Sequence, residues 1–188
     1  MNLLDFDKSL LISINHSTRC LFLDSISLFF ADARPFVPLL VIIWLLLIIR
    51  ATPQTKRMLL VIPFLISATD ILSSGIMKPL FARVRPCHIL ELTTISSCSE
   101  SFSFPSGHAT NSMAFAFFLF LHKRLLGLCF ILLSVFISFT RIYLGLHYPT
   151  DIFAGWVIGI FWASFFYIIK ERIWRGKSTA RIVVERSG

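Results

Sequence analysis

Two histidines and one aspartate are the residues of this sequence best suited to catalysis. Asp151 follows His147 by four residues, and Pro149 between them breaks the chain before the next apolar block. A carboxylate placed in this way accepts the proton of one imidazole nitrogen and leaves the other nitrogen with a free lone pair. We therefore predict that His147 is a nucleophile, that Asp151 orients it, and that His108 is a general acid.

Three basic side chains occur in the same short segments as these residues. Lys78 and Arg85 are seven residues apart, and Arg141 precedes His147 by six residues. A phosphate dianion spreads its charge over several oxygens, which favours binding by several cations, and arginine adds planar bidentate donors. We predict that these three cations bind a phosphoryl group and stabilise the charge that develops during its transfer.

The run Pro-Ser-Gly-His, which ends at His108, has the composition of a helix start. Proline and serine are both favoured there, and the free N–H groups of a helix N-terminus bind anions. Glycine allows the backbone to approach a ligand closely. We predict that Ser106 and Gly107 bind the same phosphoryl group as the three cations.

Each of these residues also has an ordinary structural explanation when it is taken alone. A histidine near a membrane interface is usually just a polar interface residue, and a lysine or arginine at the end of a span usually extends to the head groups. An aspartate before a helix is usually a cap. Taken together, however, two histidines, three cations and one aspartate all occur at the ends of long apolar blocks that we predict to be membrane spans. They fall on the same side of the predicted membrane, and this joint placement favours a functional site.

Long apolar blocks surround these segments. The chain has 188 residues, of which 56% are hydrophobic, and its mean hydropathy is +0.79. A soluble domain is about 45–50% apolar, and blocks of roughly 14 to 22 residues suit helices that cross a ~30 Å hydrocarbon core. The sequence predicts one all-α domain over 1–188, a polytopic membrane helical bundle with about five to six transmembrane helices and an N-terminal amphipathic helix.

Five apolar blocks are the predicted membrane spans. They cover about residues 33–49, 58–77, 106–121, 125–142 and 152–169. Residues 3–17 have the spacing of an amphipathic helix that lies in the interface. Residues 20–30 form either a second interfacial helix or part of a tilted first span. We therefore divide the chain into an interfacial region (1–31), a catalytic core (57–169) and a basic cytoplasmic tail (170–188).

The formal net charge of +8 would suggest a nucleic-acid partner in a soluble protein. Here the cations cluster in short loops between apolar blocks, which indicates membrane topology and anionic lipid, so we expect no nucleic-acid partner. The basic segments 50–57, 123–124 and 170–188 fall on one side, which is predicted to be cytoplasmic. Segments 78–108 and 141–151 fall on the other side, and their cations need an explanation besides topology.

Several further residues have two explanations that the sequence leaves open. Cys87 and Cys98 flank one polar loop and are either joined by a disulfide, if that loop is extracytoplasmic, or free thiols. Arg83 either recognises a head group or has a surface role. Asp70, inside a predicted span, is either functional or faces the bundle interior, paired or protonated.

The three segments together resemble a known family. Lys-x6-Arg-Pro, Pro-Ser-Gly-His and Arg-x5-His-x3-Asp occur in this order, beginning at Lys78, Pro105 and Arg141. This order and spacing resemble the type 2 phosphatidic acid phosphatase superfamily over about residues 57–169. The chain departs from the pattern at Thr140, where the family usually has serine, and the retained hydroxyl predicts that its role survives.

The resemblance implies a metal-independent reaction that needs no cofactor. His147 would attack phosphorus and become phosphohistidine, Asp151 would orient it, and His108 would protonate the leaving oxygen. Water would then release phosphate. The residues that would hold the phosphoryl oxygens are Lys78, Arg85, Ser106, Gly107 and Arg141.

The leading hypothesis is hydrolysis of a phosphomonoester or pyrophosphate on a membrane lipid, at the extracytoplasmic (periplasmic) face of a bacterial inner membrane. The chain is short, like the bacterial members of the family. Lipid A 1-phosphate, undecaprenyl pyrophosphate, phosphatidylglycerol phosphate and phosphatidic acid stay open as substrates, as does the oligomeric state. The alternatives are a lipid-to-lipid phosphotransferase and a non-catalytic anion or lipid transporter. Vanadium-dependent haloperoxidases share the motifs, but those enzymes are soluble, and five apolar spans argue against that class.

Overall fold

The computed structural model describes residues 3–32 and 34–187, with side chains over 4–32 and 35–174. These residues form helices and connecting segments without strands, as the sequence predicts. The α-helices are α1 (Leu3–Ser17), α2 (Leu21–Ala31), α3 (Val37–Arg50), α4 (Pro53–Asp70), α5 (Lys78–Phe81), α6 (Pro86–Ile89), α7 (Gly107–His122), α8 (Arg124–Tyr143) and α9 (Pro149–Ser187). A 3-10 turn, Arg34–Phe36, precedes α3, and a π-helical stretch, Ile71–Met77, links α4 to α5.

Among the described residues, three helical stretches are long and apolar enough to cross a membrane. They are Pro53–Ile89, Arg124–Tyr143 and Pro149–Trp174. Helices α2 and α3 are shorter apolar helices, and α7 has 16 residues, which corresponds to about 24 Å at the usual helical rise. The predicted class, an all-α bundle with several apolar helices, is confirmed, whereas five to six spans stay a prediction.

Helix α3 exposes apolar side chains over most of its surface, while Trp44 and Ile48 are partly buried against the core. No residue of α3 is buried, and side chains such as Leu40 and Ile49 are 57% and 70% exposed. Water would make such a surface unfavourable, because large contiguous apolar patches are rare on soluble monomers. The exposed surface of α3 therefore fits a hydrocarbon environment.

Helix α7 is the centre of the bundle and packs against α4, α8 and α9. The spacing of Gly155 and Gly159 predicts close helix packing, and the structure confirms it. A Cβ atom at Gly155 would lie 2.9 Å from the Ser106 carbonyl oxygen. A Cβ atom at Gly159 would lie 2.6 Å from the Thr110 carbonyl oxygen. The glycines thus bring the N-termini of α7 and α9, which carry His108 and Asp151, side by side.

Helix α1 forms where the amphipathic pattern predicts it, but its buried face is partly polar. Asp7, Leu11 and Asn15 lie four residues apart, on one face, and are at most 1% exposed. The Asn15 amide donates to the carbonyl oxygens of Tyr143, at 2.8 Å, and of Thr93, at 3.2 Å. Hydrogen bonds therefore hold α1 against the bundle, in addition to any contact with the interface.

The two cysteines at the polar loop and the aspartate inside the second predicted span have definite positions. A disulfide joins Cys87 and Cys98, which confirms the first of the two alternatives. The Asp70 side chain is exposed. Its carboxylate accepts hydrogen bonds from Ser74 Oγ and Asn111 Nδ2, at 3.2 and 3.3 Å. Asp70 is therefore paired with a residue of α7, although its side chain is exposed rather than buried.

Candidate active site

His147 lies in the connection between α8 and α9 and is 3% exposed. Gly145 permits this tight connection, because its φ of +72° is in the left-handed region that favours glycine. The N–H groups of Leu146 and His147 both donate to the carbonyl oxygen of Arg141, at 3.0 and 3.3 Å. The turn therefore fixes the predicted nucleophile against the last turn of α8.

The neighbours of the His147 ring determine which of its nitrogens carries the proton. Arg85 Nη1 lies 3.3 Å from His147 Nε2, and a guanidinium can only donate, so Nε2 is the acceptor. The proton is then on Nδ1, which faces Ser103 Oγ at 3.3 Å and Asp151 Oδ2 at 3.6 Å. The lone pair on Nε2 is the arrangement that a nucleophilic imidazole requires.

Ser103 connects Asp151 with His147, although the sequence did not single it out. Its hydroxyl donates to Asp151 Oδ2 at 2.5 Å and is positioned to accept from His147 Nδ1. The direct distance of 3.6 Å from Nδ1 to Oδ2 is too long for a hydrogen bond. The predicted orienting bond from Asp151 is thus made mainly through a buried hydroxyl. The sequence signal for it, a serine close to the Pro-Ser-Gly-His run, is common in polar loops.

The Asp151 carboxylate is fully buried and accepts hydrogen bonds at both oxygens. Oδ2 accepts from Ser103 and from the N–H of Tyr148, at 2.9 Å. Oδ1 accepts from Arg83 Nη1 at 2.6 Å. The carbonyl oxygen of Asp151 also accepts from the N–H of Ser106, at 3.1 Å, so this residue joins the start of α9 to the start of α7.

Burial determines the protonation state of His147. It lowers the pKa of His147 from 6.5 to about 4, because the charged imidazolium loses its hydration. Asp151 opposes this change, and the positive charge of Arg85 reinforces it. The ring is therefore neutral around pH 7, as a nitrogen nucleophile must be.

Arg85 is 6% exposed and is held beside His147 by neutral groups. Its Nε and Nη2 donate to the carbonyl oxygen and the hydroxyl of Ser101, at 2.7 and 2.9 Å, and its Nη1 donates to the carbonyl oxygen of Leu146, at 3.2 Å. Within the described residues, no ion pair links Lys78, Arg85 or Arg141 to a carboxylate. Their positive charges are left for an anionic ligand.

Arg141 is 2% exposed and has a second role that the motif did not indicate. Its two terminal nitrogens donate to the carbonyl oxygens of Phe30 and Ala31, at the end of α2. Cationic side chains commonly satisfy the last carbonyl groups of a helix in this way. The remaining nitrogen, Nε, is buried and has no hydrogen-bond partner among the described residues.

Ser106 and Gly107 form the start of α7 as predicted. Ser106 occupies the N-cap position without making a side-chain cap bond, and no residue that the structure describes is a hydrogen-bond partner of its buried hydroxyl. A Cβ atom at Gly107 would make an ordinary contact, 3.5 Å from Ser74 Oγ. Steric crowding within the protein therefore does not require a glycine at position 107. Close approach of its backbone to a ligand stays a prediction.

His108 lies in the first turn of α7, with an exposed side chain. It is close enough to the other predicted site residues for their charges to act on its ring. These are Lys78, Arg85, Arg141 and His147. The structure therefore brings the predicted nucleophile, acid, orienting carboxylate and cations to one end of the bundle.

Arg83 occupies a position that neither of its two alternatives anticipated. Its side chain is 23% exposed, and its guanidinium pairs with Asp151 on one side and with Asp7 of α1 on the other. Both N···O distances are 2.6 Å. Arg83 therefore differs from Lys78, Arg85 and Arg141, which have no carboxylate partner in the described part of the chain.

The family model described as the PAP2 superfamily matches residues 58–175, which include all the predicted site residues. The chain belongs to the PAP2 superfamily. This membership confirms the resemblance drawn from the three motifs. The region before residue 58, which contains α1, α2 and α3, lies outside the match.

Several curated proteins are similar to this chain. It is 38% identical over 116 residues to the lipid A 4'-phosphatase of Bacteroides thetaiotaomicron, covering 57% of this chain and 52% of that protein. It is 34% identical over 117 residues to phosphatidylglycerophosphatase B of Bacillus subtilis, covering 56% and 54%. It is 33% identical over 123 residues to the undecaprenyl-diphosphatase of Sulfolobus acidocaldarius, covering 64% and 57%. The chain spans about half the length of the curated relatives it matches.

Two crystal structures have a similar fold. One is the first transmembrane PAP2-type phosphatidylglycerolphosphate phosphatase from Bacillus subtilis, with a TM-score of 0.73 at 23% identity, covering 91% of this chain and 87% of that one. The other is Aquifex aeolicus LpxE, with a TM-score of 0.67 at 27% identity, covering 85% and 93%. Together with the apolar helices, these likenesses identify a multi-pass membrane protein with the PAP2 fold.

Proposed function

We propose that this protein is a lipid phosphatase that hydrolyses a phosphomonoester or pyrophosphate on a membrane lipid head group. One observation carries the proposal: His147 Nε2, whose lone pair accepts a hydrogen bond from Arg85, lies at the same end of the bundle as three cations and two buried polar atoms. Within the described part of the chain, the cations have no carboxylate partner and the two atoms have no hydrogen-bond partner. Those atoms are Ser106 Oγ and Arg141 Nε. An unsatisfied buried polar group costs about 1–3 kcal/mol, and phosphoryl oxygens are suitable acceptors for both.

The first chemical step forms a bond from His147 Nε2 to phosphorus and breaks the bond from phosphorus to the leaving lipid oxygen. His108 gives its proton to that oxygen, so the lipid leaves as an alcohol, or as a monophosphate when the substrate is a pyrophosphate. The positive charge that develops on the His147 ring is stabilised at Nδ1 through Ser103 and Asp151. The product is phosphohistidine.

The second step consumes water and restores the protein. Unprotonated His108 takes a proton from water while the water oxygen bonds to phosphorus. The bond from phosphorus to Nε2 breaks, its electron pair returns to His147, and phosphate is released. Arg85, which donates to Nε2 before substrate binds, transfers that hydrogen bond to a phosphoryl oxygen in both steps.

The proposed site faces the extracytoplasmic side of a bacterial inner membrane, the periplasm in a two-membrane cell. The disulfide between Cys87 and Cys98 supports this orientation, because structural disulfides persist mainly in oxidising compartments. The basic segments 50–57 and 123–124 support it as well, since they lie at the other ends of the helices and cytoplasmic loops are enriched in Lys and Arg. In this arrangement α3 and α7 complete the five spans that the sequence predicts.

The relatives support a class of substrate. Their names refer to lipid A, phosphatidylglycerophosphate and undecaprenyl diphosphate, which share a phosphate on a lipid and differ in the lipid. The geometry around His147 likewise fits the phosphate. A lipid phosphotransferase would use the same first step with a lipid hydroxyl in place of water. A transporter would need the cations but not a lone pair on Nε2.

An assay on a panel of lipid phosphates tests the proposal. The full chain is purified in detergent with EDTA, and phosphate release is measured with and without an acceptor lipid. A His147→Ala variant removes the nucleophile, and His16→Ala, on the exposed side of α1, is the control. Free phosphate from the wild type and the control, but not from His147→Ala, is the expected result. Phosphate found solely on the acceptor lipid contradicts hydrolysis, and no turnover of any lipid contradicts catalysis.

A further inference from the structure

Asp7 is a buried carboxylate of α1, beyond the residues that match the family. It is 1% exposed, and its Oδ2 lies 2.6 Å from Arg83 Nη2. The other terminal nitrogen of Arg83 lies 2.6 Å from Asp151 Oδ1. One guanidinium therefore bridges the orienting carboxylate of the proposed site and a carboxylate contributed by the N-terminal helix.

Thr150 links Asp7 and Arg83 a second time. Its N–H donates to Asp7 Oδ1 at 3.0 Å, and its hydroxyl donates to Asp7 Oδ2 at 2.5 Å. The same hydroxyl accepts from Arg83 Nη1 at 2.7 Å. The Arg83 guanidinium also lies over the ring of Tyr148, 3.9 Å from its centroid. Arg83 is thus held by the chain segment that lies between His147 and Asp151.

We propose that Asp7 and Arg83 are positioning residues for phosphoryl transfer, acting through Asp151. This inference rests on the proposed function. Arg83 fixes Oδ1 of Asp151, so that Oδ2 points towards Ser103 and His147, and Asp7 fixes Arg83 in turn.

The second carboxylate also has an electrostatic effect. Alone with Asp151, Arg83 would cancel the negative charge that acts on His147. Because Asp7 shares the guanidinium, the three groups carry one net negative charge. That charge stabilises the positive charge which develops on the His147 ring when Nε2 bonds to phosphorus.

A structural role of Asp7, the docking of α1, is separable from this positioning role. Asn15 lies two helical turns further along the same buried face and makes its hydrogen bonds to Tyr143 and Thr93. None of these bonds involves Arg83 or Asp151. Loss of Asn15 therefore weakens the attachment of α1 without changing the charges at the site.

The test compares Asp7→Asn with Asn15→Ala in the full chain, with phosphatidic acid, phosphatidylglycerol phosphate and undecaprenyl pyrophosphate as separate probes. We expect Asp7→Asn to lower kcat about tenfold and to leave KM within about twofold. Losses of about this size are typical when a residue that orients a functional side chain, without touching the substrate, is replaced. Asp7→Glu, which keeps the charge, should recover part of kcat. Asn15→Ala should lower the thermal unfolding temperature and keep kcat. A wild-type kcat in Asp7→Asn, or an equal loss of kcat in Asn15→Ala, overturns the inference.

A second variant covers the case in which Asp7→Asn does not fold. Thr150→Val keeps both charges and removes the hydroxyl that bridges Asp7 and Arg83, and we expect a loss in kcat of about threefold at unchanged KM. An unchanged kcat contradicts the positioning role. The proposed function is judged separately, by the wild type and His147→Ala. If those two differ as expected while Asp7→Asn equals the wild type, the inference alone is wrong, whereas an inactive wild type overturns both.

Discussion

His147 and His122 lie at opposite ends of the bundle, and both have a cation and a carboxylate nearby. The ring of His122 is fully occupied: Nδ1 donates to the Phe118 carbonyl oxygen at 2.7 Å, and Nε2 lies 2.5 Å from Lys170 Nζ. Lys170 in turn pairs with Glu171 at 2.9 Å. At the end that holds His147, by contrast, the described residues give Arg85 no carboxylate partner and leave Ser106 Oγ and Arg141 Nε without hydrogen-bond partners. Both clusters contain the same types of residue. A reactive site therefore differs from a structural cluster in having cations and polar atoms without protein partners, which can bind a ligand.

Basic residues of the bundle also differ in whether neighbouring groups satisfy their charge. Lys170 is 4% exposed and satisfied by its neighbours, although its position in the sequence marks it as the first residue of a basic tail. Arg83 is likewise paired, with Asp7 and Asp151. Such cations contribute to the architecture, whereas an unpaired cation in a largely buried position costs stability unless a ligand neutralises part of its charge.

The largest difference is expected between the two histidines. His147→Ala should lower kcat at least about a thousandfold, because removal of a nucleophilic unit abolishes the covalent route. His122→Ala should lower the thermal unfolding temperature and leave kcat of the folded protein within about twofold, since its ring makes structural bonds. Phosphate release and thermal unfolding, measured on both variants, check this. A comparable loss of kcat in His122→Ala would contradict the division between the two ends.

A smaller loss is expected for a cation without a carboxylate partner. Arg85→Gln should lower kcat/KM about a hundredfold, as for the loss of one donor to a developing oxyanion. It should also weaken inhibition by inorganic vanadate, a phosphate analogue. Lys170→Gln, at the other end, serves as the control and should leave vanadate inhibition unchanged. Equal inhibition of the wild type and Arg85→Gln would show that Arg85 does not bind the phosphoryl group.

Gly155 and Gly127 allow the helix packing at the two ends of the bundle to be compared by matched substitutions. A Cβ atom at Gly155 would meet the Ser106 carbonyl oxygen, and one at Gly127 would meet the backbone of Phe120, at the far end of α7. Both Gly→Ala variants should therefore lower the unfolding temperature. Gly155→Ala should also lower kcat about tenfold in the folded fraction, because displacement of reacting groups by a fraction of an ångström is costly. A loss of kcat in Gly127→Ala alone would contradict this account.

The smallest expected effect is a lowered pH midpoint for the protonation of His147. The pKa of His147 is lowered to about 4, so its ring stays neutral as the pH falls from 7 to 5 and becomes protonated only near pH 4. In an unfolded chain the ring is protonated below about 6.5, so His147 lowers the stability of the fold progressively as the pH drops below that value. NMR of histidine-labelled protein, with His147→Ala for assignment, gives the midpoint. A midpoint near 6.5 would contradict the burial argument.

The motif residues could be predicted from the sequence because each lies at a short, fixed spacing from another residue with a reactive or charged side chain. His147 and Asp151 are four residues apart, and the run that contains Ser106 and His108 is contiguous. It also predicted the helices, because long apolar blocks have few alternatives in a membrane. The joint presence of three motifs, rather than any one of them, made the family recognisable.

The residues that sequence reasoning missed are those whose partners are distant in the chain. Asp7 is 76 residues from Arg83 and lies in a helix whose apolar pattern indicates an interfacial location. The pattern predicts the helix but not that two of its polar residues, Asp7 and Asn15, are buried. Ser103 precedes the helix start without any periodic signal. Arg141 was recognised from its motif, yet its bonds to the end of α2 depend on packing, which the motif does not encode.

Trapping of the covalent intermediate tests the central claim most directly. The wild-type protein is mixed with a lipid phosphate that carries a radioactive phosphoryl group, quenched within the first turnover, and digested. We predict an acid-labile, base-stable label on the peptide that contains His147, and no label in His147→Ala. A label on another residue, or release of phosphate without any labelled protein at the earliest times, would contradict the assignment of His147 as the nucleophile.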